Sequence, residues 1–204
     1  MEALISYEEV DIKHFVPDPL TSAEFSKTFA FTDGACSQNG KPGAKAAFAA
    51  LLINPSAGKG FSVKGPVASA TYLLNDTIEG DVSKPVQPSN NRGELLGIIY
   101  AMHSLIQSNV EGCVEIVSDS RISIMTLTTW LPARQKKNTV HELKNTDLVL
   151  IAAKLLDQLR LQCTVTFRHV NSHKTAPVGK GDFELFLWSG NDAVDRLAST
   201  VTMI

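Results

Sequence analysis

The chain has 204 residues, 44% of them hydrophobic, which suits one ordinary domain with a sizeable core. A formal net charge of −2 and a pI near 6.2 exclude a uniformly basic surface, so a nucleic-acid partner would need a local patch or metal ions to hold it. Cys36, Cys113 and Cys163 form no CxxC pair, which argues against a disulfide framework or a cysteine zinc site and predicts a reducing compartment.

Residues 1–27 carry Glu2, Glu8, Glu9, Asp11, Asp18 and Glu24 against Lys13 and Lys27, with Pro17 and Pro19, and read as an irregular acidic arm before a domain spanning 28–204. Acids stand where a signal peptide would have a basic region, and no apolar run approaches ~18 residues, so the expectation is an intracellular protein, cytoplasmic or nuclear, without a membrane span. From Thr28 the pattern changes. FAFTD is a β-rich run ending in Asp-Gly, followed by AAFAALLIN and GFSVKGPV with Pro55, Ser56, Ala57 and Gly58 as a turn, which predicts three strands joined by hairpins. Leu95, Ile98, Ile99, Met102, Leu105 and Ile106 fall at helical spacing within Glu94 to Gln107. CVEIVSD predicts a fourth strand, SRISIMTLTTWL and TDLVLIAAKLLDQLRL two helices, CTVTFRHV a fifth strand and NDAVDRLASTV a closing helix. Hairpin-linked strands pair antiparallel and helix-linked ones parallel, so the order predicts an α/β fold. Its mixed sheet has five strands, three antiparallel then two parallel, with helices on both faces.

Four acids occupy informative places on these elements: Asp33 and Asp119 at strand ends, Glu94 in the first turn of a helix, and Asp195 on the last helix. Neighbouring first and fourth strands would set Asp33 and Asp119 ~5 Å apart in the hydrogen-bonding direction. Gathered carboxylates repel, and divalent cations relieve that repulsion. Each acid also has an ordinary reading. Asp33-Gly34 could be a turn, Asn91 and Glu94 a capping box, Asp119 an N-cap, and Asp195 a solvated charge.

The ordered set is more specific than its parts. TDGACSQN (32–39), SNNRGEL (89–95), SDS (118–120) with Trp130 beyond it, HVNSH (169–173) and GNDAVDRLA (190–198) together resemble type 1 ribonuclease H over roughly residues 28–200. The resemblance implies a ribonuclease H-like fold. It makes Asp33, Glu94, Asp119 and Asp195 the metal-binding acids, with Asp195 preferred to Asp192 on its D-x-L-A register, and His173 the mobile histidine near the product. It implies two Mg²⁺ ions, with Mn²⁺ as a possible substitute, and hydrolysis of the RNA strand of RNA/DNA hybrids to 5′-phosphate and 3′-hydroxyl ends. Asn39, Asn90 and Asn91 match positions that touch the hybrid's minor groove.

Arg134, Lys136, Lys137 and Lys144 against Glu142 read either as a phosphate-tracking patch with Trp130 at its base or as a solvated loop. His169 and His173 straddle a strand end and make a poor zinc pair. The 174–190 stretch is longer than in compact bacterial enzymes, and Phe183, Leu185, Phe186, Leu187 and Trp188 predict that it packs. Its length, with the aromatic before Gly-Asn, also resembles ribonuclease H domains inside retroelement polyproteins. The expected partner is therefore an RNA/DNA hybrid, met by a monomer or by a domain linked to a polymerase or reverse transcriptase. Alternative readings are a same-fold metal nuclease acting on branched or structured DNA, and a non-catalytic nucleic-acid-binding domain.

Overall fold

Long apolar runs place the central strands. The computed structural model describes residues 5–17, 20, 22–68, 87–172, 175–179 and 181–203. Within them, β2 (Thr28–Ser37), β3 (Lys45–Asn54) and β4 (Lys59–Pro66) form an antiparallel meander. β2 and β3 are buried along most of their length, as strands covered on both faces must be. β5 (Cys113–Ser118) joins β2 in parallel, and β6 (Thr164–His169) joins β5 in parallel.

The sheet has six strands in the order β1-β4-β3-β2-β5-β6, against the five expected. The extra one is β1 (Ser6–Val10), which pairs antiparallel with β4 from Ser6↔Lys64 to Val10↔Gly60. The N-terminal segment is therefore not wholly an irregular arm. Its acids mask the strand because Glu8 and Glu9 sit exposed on an edge, where a charge costs little and deters further pairing. Ile12 and Phe25 then enter the core.

One face of the sheet carries α1 (Asn90–Gln107) and α3 (Thr146–Arg160) over the larger apolar core, which includes Phe48, Leu96, Ile99, Met102 and Leu156. In chain order between them comes α2, made of Arg121–Met125, a π-helical turn at Thr126–Trp130, and Leu131–Lys136. The other face carries α4 (Asp182–Thr202), whose Phe183 and Phe186 pack with Phe25, Phe29 and Phe31, the Phe29 and Phe186 ring centroids lying 4.9 Å apart. This helix begins nine residues before the expected Asn191, so much of the 174–190 stretch is helix. Phe183, Phe186 and Leu187, spaced i, i+3, i+4, turn toward the sheet and extend it upstream. No described helix is long and apolar enough to cross a membrane.

Candidate active site

The acids meet at one end of the sheet because the main chain approaches itself there. A Cβ on Gly34 would lie 2.3 Å from the backbone nitrogen of Glu94, and one on Gly93 would lie 2.3 Å from the carbonyl oxygen of Ala47. Only glycine at both positions lets the first turn of α1 lie directly on β2 and β3. Asp33 precedes one glycine and Glu94 follows the other, so the contact that seats the helix also brings the two carboxylates together.

Asp33 lies inside β2, four residues before its end, and is not a turn residue. Its Oδ1 accepts from the backbone N–H of Gly34 at 2.7 Å. Glu94 does not cap its helix. Ser89 does, accepting from the Arg92 N–H at 3.4 Å, while Glu94 Oε1 takes the side-chain amide of Asn90 at 3.2 Å. Asp119 likewise leaves capping to Ser120, whose hydroxyl accepts from Ser123 N–H at 3.4 Å. Ser118 Oγ in turn accepts from the Ser120 N–H at 3.1 Å, so the two serines of SDS hold the backbone on either side of the acid.

Ligand oxygens of Asp33, Glu94 and Asp119 all lie within 4.8 Å of one another. Asp195 lines the same cleft, of about 640 Å³, and is close enough to raise the Asp33 pKa both by its charge and by a carboxyl–carboxyl hydrogen bond. Asp192 instead pairs with Arg196 at 2.8 Å and lines a different depression, so the geometry separates the two candidates for the fourth acid. Burial is the largest cause that pushes Asp33 up to about 8, with Asp119 and Asp195 adding to it and the Gly34 N–H opposing it. Burial, then the charges of Asp33 and Asp119, push Glu94 up to about 10. Glu94 Oε2 is buried without a donor, and it can bond the Asp33 carboxyl only when one of the two is protonated. Oxygen donors so arranged suit a hard divalent cation, which would replace the missing proton.

Asn90 and Asn91 line the cleft as well, and Asn39 Oδ1 accepts from the Asn90 N–H at 3.3 Å, which joins the β2–β3 loop to the start of α1. Trp130 is 39% exposed on the π-helical turn and does not line the cleft. Lys136 and Lys137 are exposed at the end of α2. Arg134, counted in the basic patch, is paired with Glu142. His173 lies outside the described residues.

Sequence reasoning passed over Arg92. This side chain is almost wholly buried, and its guanidinium grips Asp147 at the start of α3 through two bonds of 3.0 and 2.6 Å, with Asn145 Oδ1 at 3.4 Å. The pair ties the first turn of α1, and hence Glu94, to α3. Burial acts to raise the Asp147 pKa, but the Arg92 bonds and charge outweigh it and hold the carboxyl below its usual range. A basic residue inside an otherwise apolar helix face was the available signal.

The RNase H family model matches residues 26–202. A ribonuclease H of Schizosaccharomyces pombe is 34% identical over 120 residues, covering 55% of this chain and 42% of the relative, so the chain spans less than half the length of that curated protein. Among solved structures, the prototype foamy virus protease-reverse transcriptase matches 91% of this chain and 22% of its own with a TM-score of 0.63 at 14% identity. LC9-RNase H1, a type 1 RNase H with the type 2 active-site motif, matches 87% of this chain and 72% of its own, with a TM-score of 0.57 at 19% identity. At these identities the two structures share the fold with this chain.

Proposed function

The chain belongs to the RNase H family, and from that premise we propose that it hydrolyses the RNA strand of RNA/DNA hybrids, leaving 5′-phosphate and 3′-hydroxyl ends. The observation that carries this reading is the convergence of Asp33, Glu94 and Asp119 within 4.8 Å, with Asp195 in the same cleft. The buried, donorless Glu94 Oε2 and the upward-shifted carboxyls fit a divalent cation site, and Asp33, Glu94, Asp119 and Asp195 would hold it. Mg²⁺ or Mn²⁺, two ions in the full reading, would supply an activated water and relieve charge on the phosphodiester.

The remaining work falls to the chain itself. Gly34 N–H and the Asn90 amide fix the directions in which Asp33 and Glu94 present their oxygens. Asn90 and Asn91 line the cleft with Asn39 bonded beside them, and amides both donate to and accept from 2′-hydroxyls and base edges, a chemistry that separates RNA from DNA with little sequence preference. Lys136 and Lys137 carry the electrostatic share of hybrid binding, a smaller patch than composition alone suggests because Glu142 neutralises Arg134. His173, in this reading, assists proton transfer or product release.

The test is cleavage of a labelled RNA/DNA hybrid by purified protein in Mg²⁺ and in Mn²⁺, beside duplex DNA and a DNA junction. Release of RNA fragments with 5′-phosphate ends is the expected result. Cleavage of the junction alone would transfer the assignment to a structured-DNA nuclease, and no cleavage in either metal would refute the nuclease reading.

A further inference from the structure

We propose that His169, by donating from its imidazole to the main-chain carbonyl of Asp119, is a positioning residue that sets the cleft's affinity for divalent cations. The inference rests on the proposed metal-dependent function and adds to it a residue outside the acid set.

The β5–β6 ladder stops at Ser118↔His169, with the Val170 N–H reaching Ser118 O at 3.1 Å. Asp119 is thus the first residue beyond the paired strand, and the ladder no longer fixes its peptide. Its carbonyl accepts twice instead. The Arg121 N–H reaches it at 3.0 Å, closing the tight turn into α2, and His169 Nε2 reaches it at 3.1 Å. A carbonyl oxygen can only accept, so Nε2 must carry the hydrogen in this contact.

The position is under electrostatic load. Oxygens of Asp33, Glu94 and Asp119 crowd within 4.8 Å, and any negative charge they share pushes Asp119 outward, against the main-chain contacts that hold its turn. The Arg121 contact lies within the turn and moves with it. His169 reaches across from the neighbouring strand, so it alone of the two references Asp119 to the sheet. Metal sites are sensitive to groups that orient a ligand without touching the ion, and losing such a group costs on the order of tenfold or more in affinity.

His169 is exposed at the end of an edge strand, so its loss is separable from folding. His169→Phe keeps a ring of similar size and removes the donor, and His169→Gln restores an amide N–H at similar reach. Three readouts on the full chain decide the matter: calorimetric titration with Mg²⁺ and Mn²⁺, the melting temperature in EDTA, and hybrid cleavage. For His169→Phe we expect about tenfold weaker cation binding and a similar fall in kcat with KM unchanged. Its melting temperature should stay within about 2 °C of the parent, as for other surface changes. His169→Gln should recover most of both losses. Unaltered cation affinity in His169→Phe overturns the proposal, as does a glutamine variant no better than the phenylalanine one, a loss that follows the melting temperature, or a parent protein that binds neither ion. If the parent cuts hybrid and His169→Phe cuts equally well, only this inference fails. Weakened cation binding in a protein that never cuts hybrid keeps the inference and removes the nuclease reading.

Discussion

The inner and outer halves of the cleft are built by different means. Asp33, Glu94 and Asp119 stand on β2, α1 and the end of β5, with the first two buried and pushed toward protonation. Asp195 stands half-buried on α4, where it accepts a long hydrogen bond of 3.5 Å from Ser199. Asp33 and Glu94 are located by main chain lying on main chain at Gly34 and Gly93, which no rotamer change can relax, and Asp119 by the turn after β5. The outer acid is located by the phase of one helix and can adjust. On the proposed metal-dependent reading, the inner half would determine whether a cation binds, and the outer half would tune what the bound cation does.

Removing an inner ligand should break the site most severely. Asp119→Asn is expected to lower kcat by about 1000-fold or more, because several kcal/mol of charge stabilisation depend on the ligand set, while hybrid binding persists. Near-normal turnover would refute its role. Gly93→Ala attacks the approach itself. With a methyl forced to 2.3 Å from the Ala47 carbonyl, denaturant titration should show a loss of about 3 kcal/mol or failure to fold. An alanine variant of parental stability would mean that α1 is seated some other way.

The outer acid gives the milder contrast. Asp195→Asn should cost about tenfold in kcat, within the range for groups that orient or complete a metal site, and Asp192→Asn should cost nothing measurable because that acid is engaged with Arg196. The reverse ranking would reassign the fourth acid. The smallest effect concerns pH. Asp33 and Glu94 have folded-state pKa values raised from 3.8 and 4.5 to about 8 and about 10, so they favour the fold while protonated. That contribution is complete below the unfolded values and is lost as pH rises through the folded ones. In EDTA the melting temperature should therefore fall by a few degrees between pH 6 and pH 9, and Mg²⁺ should raise it more at pH 9 than at pH 6. A metal effect of the same size at both pH values would contradict the desolvated pair.

Much of this contrast was legible in the sequence, and the gaps have physical causes. β2 to β6 and α1 announced themselves through local periodicity, since each buries a face that its own residues mark. β1 did not, because an edge strand has one partner and its exposed Glu8 and Glu9 resemble a solvated tail. The first half of α4 read as an insertion because Gly181 and the Pro177-Gly179 region before it signal a loop; its apolar residues predicted packing, but their partners Phe25 and Phe29 lie far away in the chain. The partnership of Arg92 with Asp147 joins residues 55 apart in the chain, and no local pattern reports it. The acids could be ordered along the sequence, whereas the glycine contact that brings Asp33 to Glu94 required three dimensions.

The aromatic anchor of α4 also works as a ruler. Phe186 is fixed against Phe29 and Phe31, and Asp195 follows it by nine residues, ~13.5 Å along the axis and two and a half turns around it. One residue added or deleted between them would leave the anchor seated yet swing Asp195 by ~100° away from the cleft. The length of that interval is therefore a constraint in its own right, beside the close packing of Gly190 on the Phe31 ring within it.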